Sequence, residues 1–181
     1  CHYTDSPGIS GCGNDPPPAG PMMDIQILCV GKIKEEYFAR AIAEYLRRLH
    51  RYANMKITEV ADERAPETLS PAERAAVKKK EGARLHKFLR KDAVTIVLAV
   101  EGKSMTSEQF AETIRQYGLV GRSRLDFVIG GSLGLDPSIL RQADLLLSFS
   151  RFTFPHQLMR LIALEQIYRA FRIINGEPYH K

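Results

Sequence analysis

The chain has 181 residues, 44% hydrophobic and 26% charged, with 26 Lys and Arg against 21 Asp and Glu, three Cys and no Trp. That length suits one domain with a sizeable core; the apolar fraction excludes disorder throughout, and the odd, sparse cysteine count excludes a disulfide scaffold. No run of about 18 or more apolar residues occurs, so no hydrophobic span is expected and a soluble, cytoplasmic, basic domain remains.

Residues 1 to 22 differ in kind from the rest. They are rich in Gly and Pro, hold only Ile9 and Met22 as large aliphatics, and contain no Lys or Arg. Lacking the basic start and apolar run of a secretory signal, they read as a flexible extension, an expression scar or a start assigned too far upstream. Met22 or Met23 is then the natural start. Cys1 and Cys12 have no third or fourth ligand nearby for a metal. Because this stretch carries Asp5 and Asp15 and no base, residues 23–181 hold 26 basic and 19 acidic side chains, a formal +7.

From Asp24 short apolar runs alternate with longer amphipathic ones. IQILCV (25–30) is β-rich and ends at Gly31, a strand followed by a turn. Over 34–52, Tyr37, Phe38, Ala41, Ile42, Tyr45, Leu46 and Leu49 recur at steps of three and four, the spacing of a one-faced helix. MKITEV (55–60) predicts a second strand. Ser70-Pro71-Ala72-Glu73 joins an N-cap, an N1 proline and an N3 glutamate, opening a helix to about Arg90. VTIVLAV (94–100) is apolar on both faces, as a central strand is. Thr106 to Gln109 forms a second capping box for a helix stopping near Gly118. LDFVI (125–129) runs into Gly130-Gly131-Ser132-Leu133-Gly134, and Asp136-Pro137 starts a short helix. LLLSFS (145–150) is a fifth strand. Pro155 opens a last helix to Ile174, closed by Asn175-Gly176 with Pro178 beyond.

Five strands separated by helices predict an α/β fold: a single domain, mostly parallel sheet, helices on both faces. The last helix is apolar round most of its circumference, which predicts a homodimer contact. In open α/β sheets ligands bind beyond the carboxyl ends of strands. Three short loops lie there: Glu101-Gly102-Lys103, Gly130 to Gly134, and Ser150 to His156. Together they are expected to frame one pocket.

The glycine loop matches a dinucleotide fingerprint only loosely, for it follows the fourth strand and no acidic residue ends the next. No P-loop, H-E-x-x-H, C-x-x-C or G-x-S-x-G is present, so triphosphate hydrolysis, a structural metal and a serine hydrolase are not expected. Polar residues of catalytic type crowd the last third instead: Arg151, His156, Gln157, Arg160, Glu165, Tyr168, Arg169, Tyr179 and His180. His156 and Arg160 stand four apart on one helix face, so both can point at one ligand. A bland alternative has Glu165 pairing with Arg169 and His156 capping the helix. The terminal GEPYHK would ordinarily be frayed.

FVIGGSLGL, LSFSRFTFPHQLMRLIALEQIYRAFRI and GEPYHK, with DIQILCVGKIKEEYFARAIAEYLRRL and VLAVEGKSMTSEQFA, resemble the signature segments of the ribosomal RNA large-subunit methyltransferase H family, in the SPOUT superfamily. The resemblance spans about residues 23–181. It implies a C-terminal trefoil knot, a homodimer, S-adenosylmethionine as methyl donor, and N3 methylation of a pseudouridine in large-subunit ribosomal RNA on assembled ribosomes. Neither DNA nor a membrane is an expected partner. Carried over by position, the cofactor residues are Leu98, Gly130 and Phe149, Ser150, Arg151, Phe152, Thr153 and Phe154. Glycine admits close backbone approach, and Leu98 with the phenylalanines offers apolar surface to adenine.

The acceptor N3 carries a proton, so a base or an anion-stabilising cation is useful. His156, Glu165 and His180 are the candidates for proton removal, Arg160 for anion or phosphate contact, and Tyr179 for stacking or hydrogen bonding to the base. Arg47, Arg48 and Arg51 on one helix, and Lys78, Lys79, Lys80, Arg84, Lys87, Arg90 and Lys91 on another, suit an RNA surface, although such runs are usually solvated faces. The main rival is a non-enzymatic ribosome- or RNA-binding domain, and after it an enzyme using another nucleotide cofactor.

Overall fold

The computed structural model describes residues 22–181; the expectations placed on residues 1–21 lie outside it. In chain order it contains β1 (Met23–Val30), α1 (Glu36–Leu49), β2 (Ala53–Val60), α2 (Pro71–His86), β3 (Val94–Ser104), α3 (Ser107–Leu119), β4 (Arg124–Ile129), α4 (Pro137–Arg141), β5 (Leu145–Ser148) and α5 (His156–Ile174). The strands form one sheet in the order β2-β1-β4-β3-β5, with every pairing parallel. The α/β reading is therefore correct.

Strand periodicity divides the core in two. Ile25, Ile27 and Cys29 of β1 point to the side covered by α1, α3 and α5, where Ile42, Phe110, Ile114, Leu164 and Ile167 are buried against them. Leu28 and Val30, of opposite parity, point to a smaller layer with Leu85 of α2 and Ile139 of α4. Burial on both faces is why the inner strands read as unbroken apolar runs.

The predicted caps form. Ser70 Oγ accepts from the Glu73 amide at 3.2 Å with Pro71 at N1, and Thr106 and Gln109 exchange the two bonds of a capping box at 3.1 and 2.9 Å. No described helix is long and apolar enough to cross a membrane.

One expectation about local structure is overturned. Glu101-Gly102-Lys103 is not a free loop, because β3 continues to Ser104. Leu98 pairs with Leu147; the chain then bulges, and Lys103 and Ser104 pair with Leu147 and Ser148. The second pairing needs Gly102, where a Cβ would stand 2.6 to 2.8 Å from the backbone of Leu146 and Leu147. The bulge leaves Ala99 to Glu101 standing over the end of β5, beside the loops from β4 and β5.

Candidate functional site

The carboxyl ends of β3, β4 and β5 enclose a cavity of about 310 Å³. Its wall includes Leu98 to Glu101, the Gly130–Gly134 turn, and Phe149, Ser150, Phe152, Thr153 and Phe154, with Pro155, His156 and Met159 opening α5. The Gly130 to Gly134 and Ser150 to His156 loops therefore contribute, whereas of Glu101-Gly102-Lys103, which is strand, only Glu101 reaches the wall. Of the sequence-predicted cofactor residues, Leu98, Gly130, Phe149, Ser150, Phe152, Thr153 and Phe154 line it, whereas Arg151 stands exposed on the same loop outside the wall.

Backbone contacts shape this wall. The 131–134 turn closes with Gly134 N donating to the Gly131 carbonyl at 3.0 Å, and Gly134 has a φ of +89°, the left-handed region glycine tolerates. On the β5 side, Ser148 Oγ donates to the Ser150 carbonyl at 2.9 Å and Ser150 Oγ accepts from Phe152 N at 3.0 Å. These bonds hold the short segment in a curl that leaves Phe152 77% exposed at the mouth. A second cavity, of about 190 Å³, shares Leu147, Phe149, Ser150 and Phe154 with the first and is completed by Met105, Thr106, Ser107, Phe110, Ile162 and Gln166.

His156 and Arg160 do share a face of α5, but they do not converge on one ligand. His156 lines the cavity; burial first, and then the nearby Arg160 guanidinium, push its imidazole below the ordinary histidine range, against a smaller pull from Asp62. It does not cap the helix, for Pro155 occupies the N-cap and no side-chain bond is made there. Arg160 is 1% exposed and does not reach the cavity. Its Nη1 donates to Glu59 Oε2 at 2.8 Å and its Nη2 to the Gly31 carbonyl at 3.1 Å. The expected phosphate contact is therefore corrected: the guanidinium is committed to the core, where withdrawing it would strand buried polar groups.

Sequence reading missed the job this arginine does. Glu59 Oε2 also accepts from Ile33 N at 3.3 Å, and Gln157 Oε1 accepts from Lys34 N at 3.1 Å. Together with Arg160 they lash the segment after β1 to the first turns of α5, beside the cavity. The signal was weak, since Glu59 looked like any strand carboxylate. Glu81 was missed as well. It is 5% exposed under the glycine turn, with its Oε1 3.2 Å from where a Gly131 Cβ would stand, and burial pushes its carboxyl upward in spite of a bond from Glu63 N.

Glu165, Tyr179 and His180 form a second constellation. Arg169 donates to Glu165 Oε1 from Nε (3.0 Å) and Nη2 (2.7 Å), and Tyr179 Oη donates to the same oxygen at 3.2 Å. Arg169 lies over the Tyr179 ring at 4.7 Å, and His180 is held by Glu108 (2.6 Å) and Arg169 Nη1 (3.1 Å). The pairing of Glu165 with Arg169 is thus real, but the tail is docked rather than frayed. Burial, and then the neighbouring Tyr45 and Glu165, raise the Tyr179 phenol far above its usual range, so it stays a hydrogen-bond donor. Glu165 is nine residues along α5 from His156, about 13 Å at 1.5 Å per residue. Within one chain the tail cluster stands away from the wall that His156 lines.

Comparison with known proteins follows the same boundaries. A family described as "Predicted SPOUT methyltransferase" matches residues 23–180. The chain is similar to proteins named "Ribosomal RNA large subunit methyltransferase H" from Bifidobacterium adolescentis (58% identical), Carboxydothermus hydrogenoformans (57%) and Listeria monocytogenes (54%). Each alignment runs over 159 residues, 88% of this chain and 100% of the relative.

Proposed function

The chain belongs to the SPOUT methyltransferase family, and from that membership we propose that it moves a methyl group from S-adenosylmethionine to N3 of a pseudouridine in large-subunit ribosomal RNA. In this reading it works in the cytoplasm on assembled ribosomes, as a homodimer. The observation that carries it is the cavity at the ends of β3, β4 and β5, whose backbone turns and apolar side chains suit an adenosine. A Cβ at Gly130 would lie 2.8 Å from Leu135 Cγ and 3.0 Å from Gly134 C, so the turn closes on itself and leaves backbone as the cavity wall. Leu98, Phe149 and Phe154 supply apolar contact, and backbone groups of Ser150 to Thr153 offer polar edges to a base. A C-terminal trefoil knot belongs to the same reading, supported by membership of the family.

S-adenosylmethionine supplies an electrophilic methyl on a sulfonium sulfur, which departs as a neutral thioether. The protein's share is positioning and the N3 proton. With an imide pKa roughly two to three units above neutral, ionisation costs about 3–4 kcal/mol, at about 1.4 per unit. His156 is the base best placed to take that proton: it lines the cavity, and its downward shift leaves the imidazole neutral at pH 7 with a free nitrogen to accept it, as a weaker base than an ordinary histidine. Glu165, Tyr179 and His180 are assigned to the acceptor in trans, from the partner's tail. The half-buried Leu158, Leu161 and Ile162 on α5 offer the apolar face for that pairing.

Assembled ribosomes from a strain lacking the gene, incubated with the protein and methyl-labelled S-adenosylmethionine, should gain one methyl on a pseudouridine of the large-subunit RNA, found by mass spectrometry of RNA digests. Binding of the donor without transfer would overturn the substrate; no donor binding would leave the RNA-binding rival.

A further inference from the structure

The two basic helices that look alike in sequence have different fates in the fold. On α1, Glu44 neutralises Arg47 and Arg48 at 2.7 and 2.9 Å, and Arg51 lies 3.9 Å from Glu177. Arg84 and Arg90, at the end of α2 and just beyond it, are likewise taken by Glu63 and Asp126. Among the described residues, Lys78, Lys79, Lys80, Lys87 and Arg141 make no ion pair. Other basic residues without an ion pair, such as Lys32, Lys56, Lys103 and Arg151, are scattered, whereas α2 carries three in a row with Arg141 of its neighbour α4 close by.

Two of these residues, Lys79 and Arg141, face a concavity. Lys79, Ala83 and His86 recur at steps of four and three on α2, which puts them on one face. With Pro137, Ser138 and Arg141 of α4 they line an open groove of about 500 Å³. The helices come close because residue 82 is glycine: a Cβ there would stand 3.0 Å from Asp136 Cβ. Asp136, the carboxylate in the groove, is turned to the start of α4, where its Oδ2 accepts from Ser138 N at 3.0 Å and from Ser138 Oγ. His86 Nε2 lies 3.1 Å from that same hydroxyl. Lys79 and Arg141 are exposed and make no hydrogen bond or ion pair, although the Ser138 hydroxyl first, and further off the Arg141 charge, hold the Asp136 carboxyl below its usual range.

The groove also has a fixed relation to the methyl-transfer cavity. Leu135 and Leu140 line the cavity, while Asp136 and Arg141, the next residue in each case, line the groove. The two depressions share the 134–141 segment as a common wall. A strand whose base enters the cavity can therefore run its backbone over α4.

We propose that the α2–α4 groove is a second RNA contact, in which Lys79 and Arg141 bind backbone phosphates of the ribosomal RNA that presents its base to the cavity. This rests on the ribosomal RNA reading above. Such contacts add affinity and register without reading sequence, and they release counterions, so they leave a signature in salt dependence. They should act on substrate binding and leave the chemical step alone.

The test is the double variant Lys79→Ala/Arg141→Ala, assayed with assembled ribosomes for binding and for methyl transfer across a salt series. Loss of two phosphate contacts should raise KM for the ribosomes about tenfold and make the plot of log K against log salt shallower by about 1.4 to 1.8. The kcat, the affinity for S-adenosylmethionine and the melting temperature should stay at wild-type values. Lys79→Arg/Arg141→Lys should restore KM, and Arg47→Ala/Arg48→Ala on α1 should leave it alone. An unchanged KM and salt slope in the double variant, with wild-type protein active, overturns the groove by itself. Wild-type protein that neither binds nor methylates assembled ribosomes overturns the groove and the ribosomal RNA reading together.

Discussion

Gly130 is the position where the cavity wall can be moved by one atom at a time. A methyl placed there meets Leu135 Cγ at 2.8 Å, Gly134 C at 3.0 Å and Gly134 O at 3.1 Å. The leucine tip can rotate away. Gly134 is main chain, and the turn containing it is closed by a 3.0 Å bond to Gly131, so relief there means opening the turn. Overpacking of this kind costs about 1–3 kcal/mol, and Gly130→Val, with two further methyls, belongs at the upper end. For a domain of this size each kcal/mol lowers Tm by about 2–4 °C. If the turn opens toward the cavity, the same energy falls on the donor site, where about 3 kcal/mol is more than a hundredfold in Kd. Calorimetric titration with S-adenosylmethionine should therefore show no measurable binding for Gly130→Val and a partial loss for Gly130→Ala. Gly134→Ala is the control: nothing lies within 4 Å of its Cβ, so the positive φ alone should cost about 1–2 kcal/mol of stability. Wild-type donor affinity in Gly130→Val would refute both the packing estimate and the placement of the donor.

Deleting residues 179–181 should abolish methyl transfer while leaving donor affinity near wild type; retained turnover would end the tail's role. Arg160→Met should free the segment after β1, read as faster hydrogen exchange over residues 31–35. Because Glu59 is 36% exposed and can turn to water, the loss should be about 1–3 kcal/mol rather than that of a fully buried pair, and unchanged exchange would show that the lashing is idle. Glu81 gives a pH prediction: its folded carboxyl sits above its unfolded value, so the stability it contributes is fully present below about pH 4.3 and is lost as pH rises through the folded pKa. Glu81→Gln should therefore raise Tm at pH 7 and flatten its decline above pH 5; an unaltered pH dependence would place the charge elsewhere.

Periodicity and capping carried most of the architecture into the sequence. Ser70-Pro71-Ala72-Glu73 and Thr106 to Gln109 open helices where their side chains dictate, and the inner strands read as continuous apolar runs because both faces are covered. What local pattern could not carry was partnership across the fold. Arg160 stands one helical turn from His156 and looks equally available, yet Glu59, 101 residues away, removes it from the cavity. The terminal Tyr179 and His180 would fray alone, yet Glu108, Glu165 and Arg169 dock them.

The same physics explains why charge was the least legible feature. A basic side chain acts on a distant phosphate only if no carboxylate already holds it, and that depends on three-dimensional neighbours that spacing does not reveal. Arg47 and Arg48 are answered within their own helix by Glu44, which i,i+3 and i,i+4 spacing does disclose. Lys79 and Lys80 have no acidic residue at those steps, which are occupied by Ala75, Ala76, Val77, Gly82, Ala83 and Arg84. Net charge counts both helices alike, whereas only the second keeps a run of lysines that no carboxylate holds.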